Sequence, residues 1–267
     1  MWIAIAAAGQ ARAQEPEAVP PLDFAFATQL GSGVYTAGGR TVQIYRIPIS
    51  WALRDSEDHA FGIELTFPLT FGFFDFRTSD ILEGDLPDDI GTISLVPGAR
   101  IEIPILEDWW LTPFAEAGYA TDFESGGSAL TYAGGIESLA LFHRPSHVYR
   151  LGNVLKYVGF TETDAWAGAG YVELDTGIEI RHPLGFTMKG QEADLGWFAV
   201  DYFYLHGLTF NDLEGEEITV RNQVEIGVTL GTESTIKIWK FPIPRFGVSY
   251  RSGDGVAAVR FVLGAPF

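Results

Sequence analysis

The chain has 267 residues, and its 35 Asp and Glu side chains outnumber 17 Lys and Arg, giving a formal net charge of −18. This acidity argues against a nucleic-acid partner, because phosphates are bound by clustered cations. Cysteine is absent, which excludes disulfides, Cys-ligated zinc, iron–sulfur clusters and thiol nucleophiles. No apolar run reaches the ~18 residues that a membrane-spanning helix needs, so the chain can cross a membrane only with strands.

The first residues have the pattern of an export signal. A short apolar stretch over residues 2–8 precedes Ala11-Arg12-Ala13, the small-x-small pattern cleaved by signal peptidase. We therefore predict a signal peptide over residues 1–13, although the usual basic leader is missing. An acidic, proline-rich tail in the periplasm would follow over residues 14–21. The alternative is an alanine-rich, irregular terminus.

The remaining chain alternates apolar and polar residues with a period of two, which is typical of β-strands. The clearest run places Phe61, Ile63, Leu65, Phe67, Leu69 and Phe71 on one face. Many runs exceed the ~5–6 residues of ordinary strands and suit the ~9–11 residues of a tilted membrane-spanning strand. We predict twelve strands, at residues 22–35, 41–53, 60–73, 91–105, 110–120, 128–142, 147–158, 165–181, 195–206, 218–231, 236–250 and 256–265.

Charged residues fall on the face opposite the apolar one in nearly every predicted strand. This pattern favours a closed, antiparallel, up-and-down transmembrane β-barrel over residues 22–267, with lipid outside and a polar lumen. A soluble β-sandwich would show the same alternation, with its charged face in water. Strand length and aromatic residues near strand ends favour the membrane barrel; these are Trp51, Trp109, Trp110 and Trp166.

The inward charges are expected to form a network across a narrow lumen. Paired carboxylates can perform acid–base chemistry, but mixed charges in a lumen more often form structural ion pairs. The predicted members are Arg100, Glu102, Arg150, Lys156, Glu173, Asp175, Glu179, Arg181, Asp201, Arg221 and Glu225.

The longer connections, at residues 74–90 and 207–217, are acidic and are predicted to lie outside the cell. Acidic loops suit a surface adhesin or receptor, and carboxylates can bind Ca²⁺ or Mg²⁺. A solvated loop is the more economical interpretation, because neither segment has the spacing of a calcium-binding loop. We predict no metal and no cofactor.

An outer-membrane lipid or peptide hydrolase is the enzymatic alternative. Outer-membrane phospholipases carry His and Ser two residues apart on the lipid side of a strand, with Asn on the neighbouring strand. His206 and Asn222 resemble two of these groups, but Gly207 and Leu208 follow the histidine, so the nucleophile is missing. The motifs HExxH and GxSxG are also absent. No catalytic residue is therefore predicted.

The chain ends in a hairpin around Gly253-Asp254-Gly255 and in an aromatic residue. Val259, Phe261, Leu263 and Phe267 share one parity and resemble the terminal assembly signal of bacterial outer-membrane barrels. Ala265 and Pro266 depart from that signal. The predicted barrel and this ending together resemble the solitary outer-membrane autotransporter-type β-barrel family of Gram-negative bacteria.

The resemblance implies an outer-membrane location, contact with lipid and lipopolysaccharide, and insertion by the barrel-assembly machinery. Full autotransporters carry a secreted passenger and a helix in the pore. Only about twenty residues precede our first predicted strand, so we do not expect passenger transport. The sequence thus predicts a monomeric, non-enzymatic barrel, either a narrow polar pore or a structural element.

Overall fold

The computed structural model describes residues 28–37, 40–56, 60–74, 91–123, 126–163, 168–188, 190–211, 217–232, 236–238, 241–243 and 245–267. The strands are β1 (Gly33–Ala37), β2 (Arg40–Ile47), β3 (Ser50–Arg54), β4 (Gly62–Thr66), β5 (Leu69–Phe74), β6 (Thr92–Leu95), β7 (Gly98–Leu106), β8 (Trp109–Asp122), β9 (Ser128–Arg144), β10 (His147–Glu162), β11 (Gly168–Met188), β12 (Gln191–Asn211), β13 (Glu217–Thr232), β14 (Ile236–Ile238), β15 (Phe241–Ile243), β16 (Phe246–Gly253) and β17 (Val256–Leu263).

These strands form a closed antiparallel barrel of twelve staves, which confirms the predicted fold class. Three staves are each divided in two, at Pro48, Pro68 and Pro97. Proline lacks the N–H that a β-ladder requires, so the pairing is interrupted at each of these positions.

The sheet closes because each strand pairs with its neighbours in chain order and the two ends meet. Strand β17 pairs with β1, and β1 pairs with β2. On the other side β8 pairs with both β7 and β9. We call the end that carries the β16–β17 turn at Asp254 the upper end, and the end that carries the β9–β10 turn at Pro145 the lower end.

Strands β11 and β12 are longer than the sequence pattern indicated. The predicted connection over 182–194 is instead a tight hairpin in which Met188 pairs directly with Gln191. Gly190 has φ of +85° in this turn, a conformation that glycine adopts without a steric penalty. The extra pairs lengthen the lower wall, and a register shift between Pro183 and Thr187 accommodates them.

The predicted strand over 236–250 is also wrong in its extent. Residues 236–243 contain the separate hairpin β14–β15, and the barrel stave β16 begins only at Phe246. Pro242 and Pro244 lie within the predicted span, and proline there disfavours a continuous central strand.

One parity of each long strand is exposed and apolar, and the other is buried. On β10, for example, Leu151, Leu155 and Tyr157 are exposed, whereas Arg150 and Val158 are buried. Exposed large apolar side chains occur on every stave from β7 to β17, including Ile101, Tyr119, Ile136, Ile178, Trp197, Ile226, Val248 and Phe261. The apolar face therefore forms the outer wall, and the core of the molecule is the lumen.

The first stave starts later than predicted. Strand β1 begins at Gly33 rather than near residue 22, and the described residues before it lie against the inner wall. Thr28 and Gln29 have helical backbone geometry, and Thr28 and Leu30 are buried. The predicted signal peptide, the tail over 14–21 and residues 22–27 lie outside the described part of the chain.

Candidate functional site

The lower part of the lumen holds a cluster of ions around Glu179, which is fully buried. The guanidinium groups of Arg150 and Arg181 lie 2.9 and 3.0 Å from Glu179 Oε2. The Thr229 hydroxyl donates to the other oxygen at 3.0 Å. Each of these residues comes from the inward parity of β10, β11 or β13, so the barrel itself brings them together.

Arg245, the residue before β16, connects this lower cluster to Asp194 on β12. Its Nη2 and Nη1 atoms donate to the two carboxylate oxygens of Asp194 at 2.6 and 3.0 Å. Its Nε lies 3.7 Å from Glu179 Oε1. Such a bidentate pair fixes geometry as well as charge. The sequence prediction missed Asp194, because it placed this residue in a turn rather than in β12.

A second group, the central cluster, is built around Glu225 on β13. This carboxylate accepts a hydrogen bond from the Tyr202 hydroxyl at 2.7 Å, and it also contacts Ser249 and Arg260. Glu225 is buried, so these partners, and not water, stabilise its negative charge.

Arg251 joins the central cluster from β16. It donates to Gln223 Oε1 and to the Tyr204 hydroxyl, each at 2.7 Å. Its guanidinium carbon also lies 3.6 Å from the centre of the Tyr202 ring, within the range of a cation–π interaction. Arg251 was expected in a turn and therefore was not among the predicted lumen residues.

Nearer the upper end, Lys156 lies between two carboxylates of β11. Its ammonium is 3.3 Å from Glu173 Oε2 and 3.1 Å from Asp175 Oδ2. Both carboxylates are buried. Lys156 and these two groups face inward in the register of the β10–β11 pair.

The opposite wall is more open. Arg100 forms an ion pair with Glu137 and lies 3.7 Å from Glu64, with side-chain exposures of 28–40%. The Gln29 amide donates to Glu116 Oε1 at 2.6 Å, and Arg46 donates to the Thr28 carbonyl at 2.8 Å. The segment before β1 therefore fills part of the lumen on this side.

Phe267 also lies inside the barrel. A Cβ atom added at Gly152 or Gly177 would lie 2.2 or 2.4 Å from the Phe267 ring, so the ring rests directly on these two glycines. They pair with each other on the inward face of β10 and β11. The Arg150 guanidinium carbon is 6.0 Å from the ring centre.

Phe267 thus lies apart from the other residues of the predicted assembly signal. Val259, Phe261 and Leu263 are exposed on the outer wall, at 51%, 55% and 48%, whereas Phe267 packs against the inner core. The shared parity failed to predict this because the strand ends at Leu263 and Gly264 follows with φ of +96°.

Two predicted lumen residues lie elsewhere. Asp201 is exposed on the outer parity of β12, because Tyr202 and Tyr204 occupy the inward positions, where their hydroxyls find partners. Arg221 is exposed at a register shift in the β12–β13 pair. Glu102, by contrast, shares the inward face of β7 with Arg100, but it is exposed and accepts a hydrogen bond from Ser56.

Asp254, in the upper turn, binds the backbone of β13 at the register shift near Arg221. One carboxylate oxygen accepts the backbone N–H groups of Arg221 and Asn222 at 2.7 and 2.9 Å. These two hydrogen bonds lower the pKa of Asp254 below its ordinary value of 3.8. The turn of one hairpin is thereby fastened to the adjacent strand.

The enzymatic alternative rested on His206 and Asn222. Asn222 donates to Asp201 Oδ1 at 2.7 Å, and His206 is exposed at the upper end of β12. Within the described ranges, no group of three or more His, Asp or Glu could hold a metal ion. The acidic segment 75–90 and residues 212–216 lie outside those ranges.

No protein-family model matches the chain, and no curated protein matches it. Among the described residues, no helix has the length and apolar character needed to span a bilayer.

Proposed function

We propose that this protein is a non-enzymatic integral β-barrel of a Gram-negative outer membrane, with a lumen that acts as a narrow polar pore or a structural core. One observation carries the proposal: among the described residues, large apolar side chains are exposed on the outer wall, and buried charged side chains form ion pairs inside the barrel. Trp197 and Phe261, for example, are 55% exposed, whereas Glu179 and Glu225 are 0% and 1% exposed.

A soluble barrel would need the opposite arrangement. Contiguous apolar patches on soluble monomers rarely exceed a few hundred Å², whereas the exposed apolar side chains here continue around the barrel. Closure also suits a bilayer, because hydrocarbon offers no hydrogen-bond partner to a free strand edge. These features support the membrane assignment.

Flotation and gel migration test this assignment. Refolded protein is expected to float with lipid vesicles in a density gradient and to resist extraction at high salt. It should also migrate differently on a gel before and after heating, as a closed barrel does. Protein that stays soluble without lipid and remains at the bottom of the gradient would overturn the proposal.

The packing of the lumen favours a narrow pore or no pore over a wide channel. The lower and central clusters are buried, and Gln29 and Phe267 occupy further space in the lumen. Planar-bilayer recording distinguishes the two forms. Small, steady conductance would support the pore, and its absence at every voltage would leave the structural role.

The proposed partners are outer-membrane lipid, lipopolysaccharide and the barrel-assembly machinery. The exposed row Val259, Phe261 and Leu263 on the last strand supports recognition by that machinery. The segment before β1 inside the lumen also suits the resemblance to autotransporter-type barrels. Substituting Phe261→Ser should slow insertion by purified assembly machinery in vesicles; unchanged insertion would count against this partner.

A further inference from the structure

The inner wall of the barrel is open to water at its lower end. Strands β3, β4 and β7 are the lower parts of the three divided staves. On their inward face Ala52, Glu64 and Arg100 are direct register partners, and Ala52 is exposed. The Glu64 and Arg100 side chains are 40% and 30% exposed, and Glu102 on the same face is exposed as well. Water therefore reaches the lower lumen along these three strands.

The upper end of the lumen is buried instead. Six strands each place a buried apolar side chain on the inner wall within three residues of the upper end of the strand. All six side chains belong to one hydrophobic cluster, and we call them the upper layer. They are Ala129, Phe160, Tyr171, Leu208, Val220 and Val256, at 0–7% exposure.

The other six staves are buried at the same end. Thr70, Ser94 and Ala120 are consecutive register partners on β5, β6 and β8, so the buried inner wall continues from stave to stave. All twelve staves thus present a buried side chain to the upper lumen. The residues on these six staves are Tyr35, Ile44, Thr70, Ser94, Ala120 and Arg251, at 3–7% exposure.

Polar groups give way to apolar ones over a short distance. On β10 the inward positions are, in order, Lys156, Val158 and Phe160. Lys156 contacts two carboxylates, whereas Val158 and Phe160 are members of the hydrophobic cluster and are 1% and 7% exposed. The step from Lys156 to Phe160 covers ~13 Å of strand. The lumen therefore changes from ion clusters to an apolar layer below its upper end.

An apolar layer of this kind is a barrier to ions. An ion that passes it must give up hydrating water, and apolar side chains offer no replacement partners. Hydrophobic constrictions in channels close in this way, by dewetting. The Tyr171 ring of the upper layer also packs edge to face against the Tyr204 ring, with 5.5 Å between the ring centres. This contact holds the Tyr171 ring in place.

We infer that the upper layer is a hydrophobic gate, which closes the upper end of a lumen that water enters from the lower end. The inference rests on the proposed membrane barrel and specifies what controls passage through its lumen. With the layer in place, wild-type protein should conduct few ions across a planar bilayer. A polar side chain in the layer should bind water and increase the conductance.

The absence of cysteine from the chain allows the lumen to be mapped with single cysteines. Full-length protein is refolded into detergent micelles, where both ends of the barrel are accessible, and is treated with a positively charged methanethiosulfonate reagent. Glu102→Cys should react about ten-fold faster or more than Ala129→Cys, because Ala129 is 0% exposed and the reagent is excluded from an apolar layer. After unfolding, the two cysteines should react at the same rate.

A second measurement tests the gate itself. Val220→Ser should raise the conductance of the barrel in planar bilayers about three-fold or more, because the hydroxyl offers water a hydrogen-bond partner within the layer. The matched control is Val224→Ser, the same substitution on the same strand, where Val224 is 46% exposed on the outer wall. This control should conduct like wild-type protein. Heat-modifiable migration of each variant checks that the barrel is intact.

Equal reaction rates at the two cysteines in folded protein would overturn the inference, as would a Val220→Ser barrel that conducts no better than Val224→Ser. Wild-type protein with a conductance as large as that of Val220→Ser would show that the layer is open, and would also overturn it. Protein that fails to float with vesicles would instead refute the membrane location, so the two failures are distinguishable.

Discussion

Replacing Glu179 by glutamine perturbs the lower cluster at its centre. The side chain keeps its shape but loses the charge that Arg150 and Arg181 contact at 2.9 and 3.0 Å. Arg245, 3.7 Å from the other oxygen, keeps Asp194 as its partner. Among the described residues, these two guanidinium groups would therefore remain buried without a counter-ion.

The expected cost is large because water cannot compensate for the lost charge. Glu179 is 0% exposed, and the side chains of Arg150 and Arg181 are 9% and 10% exposed. Removing one partner of a buried ion pair typically costs ~3–5 kcal/mol. We expect the free energy of unfolding of Glu179→Gln to fall by an amount in this range.

Urea titration of protein refolded into lipid vesicles measures the change, with tryptophan fluorescence as the signal. Glu64→Gln is the matched control, because Glu64 also contacts an arginine, at 3.7 Å, but its side chain is 40% exposed. Exposed ion pairs contribute ~0–1 kcal/mol. The control should therefore change stability by less than about 1 kcal/mol.

If Glu179→Gln loses no more stability than Glu64→Gln, water reaches the lower cluster and the lumen is not packed as described. The same outcome would remove the argument against a wide channel. A large loss of stability together with unchanged conductance would show that the lower cluster stabilises the barrel and does not control conductance.

Three further outcomes are expected. Gly177→Ala should destabilise the barrel, because the added Cβ would lie 2.4 Å from the Phe267 ring. The loss of stability should disappear in a Phe267→Ala background. The control Gly134→Ala should be nearly neutral, because the nearest atom to its added Cβ is 3.5 Å away. Folding lowers the pKa of Asp254, so this carboxylate stabilises the barrel above its ordinary pKa, and the stabilisation declines as the pH falls below that value. Asp254→Ala should therefore flatten the dependence of urea stability on pH between pH 5 and pH 2, at about pH 3.8 and below. Ile226→Arg on the outer wall, 58% exposed in the wild type, should cost ~2–4 kcal/mol in vesicles if it meets mid-bilayer lipid; a near-neutral effect would contradict that placement.

The period-two pattern predicted the twelve-stave barrel because alternation is a local property of a strand. Each residue's face depends only on its neighbours along the chain, so Phe61 and Leu65 could be assigned to one face without knowing any partner strand. Strand boundaries depend on which turn forms, and several turns fit the sequence at some positions. The long β11–β12 hairpin is the main example.

The face of Asp201 could not be predicted in the same way. Both parities of β12 are largely apolar, and the wrong one was assigned to lipid. Tyr202 and Tyr204 lie inside because their hydroxyl partners, Glu225 and Arg251, come from β13 and β16. No pattern within β12 contains that information.

The sequence by itself determined a closed β-barrel with apolar and polar faces, because the alternation of apolar and charged residues along each strand is a local property of the chain. Only the tertiary structure decided which charges meet, because Glu179 and Arg245 are paired by sheet register and not by spacing in sequence. It also placed Phe267 in the lumen and brought apolar residues from six strands together in the upper layer. Contacts between distant segments depend on how the sheet curves and closes, and a one-residue shift in register would exchange every face.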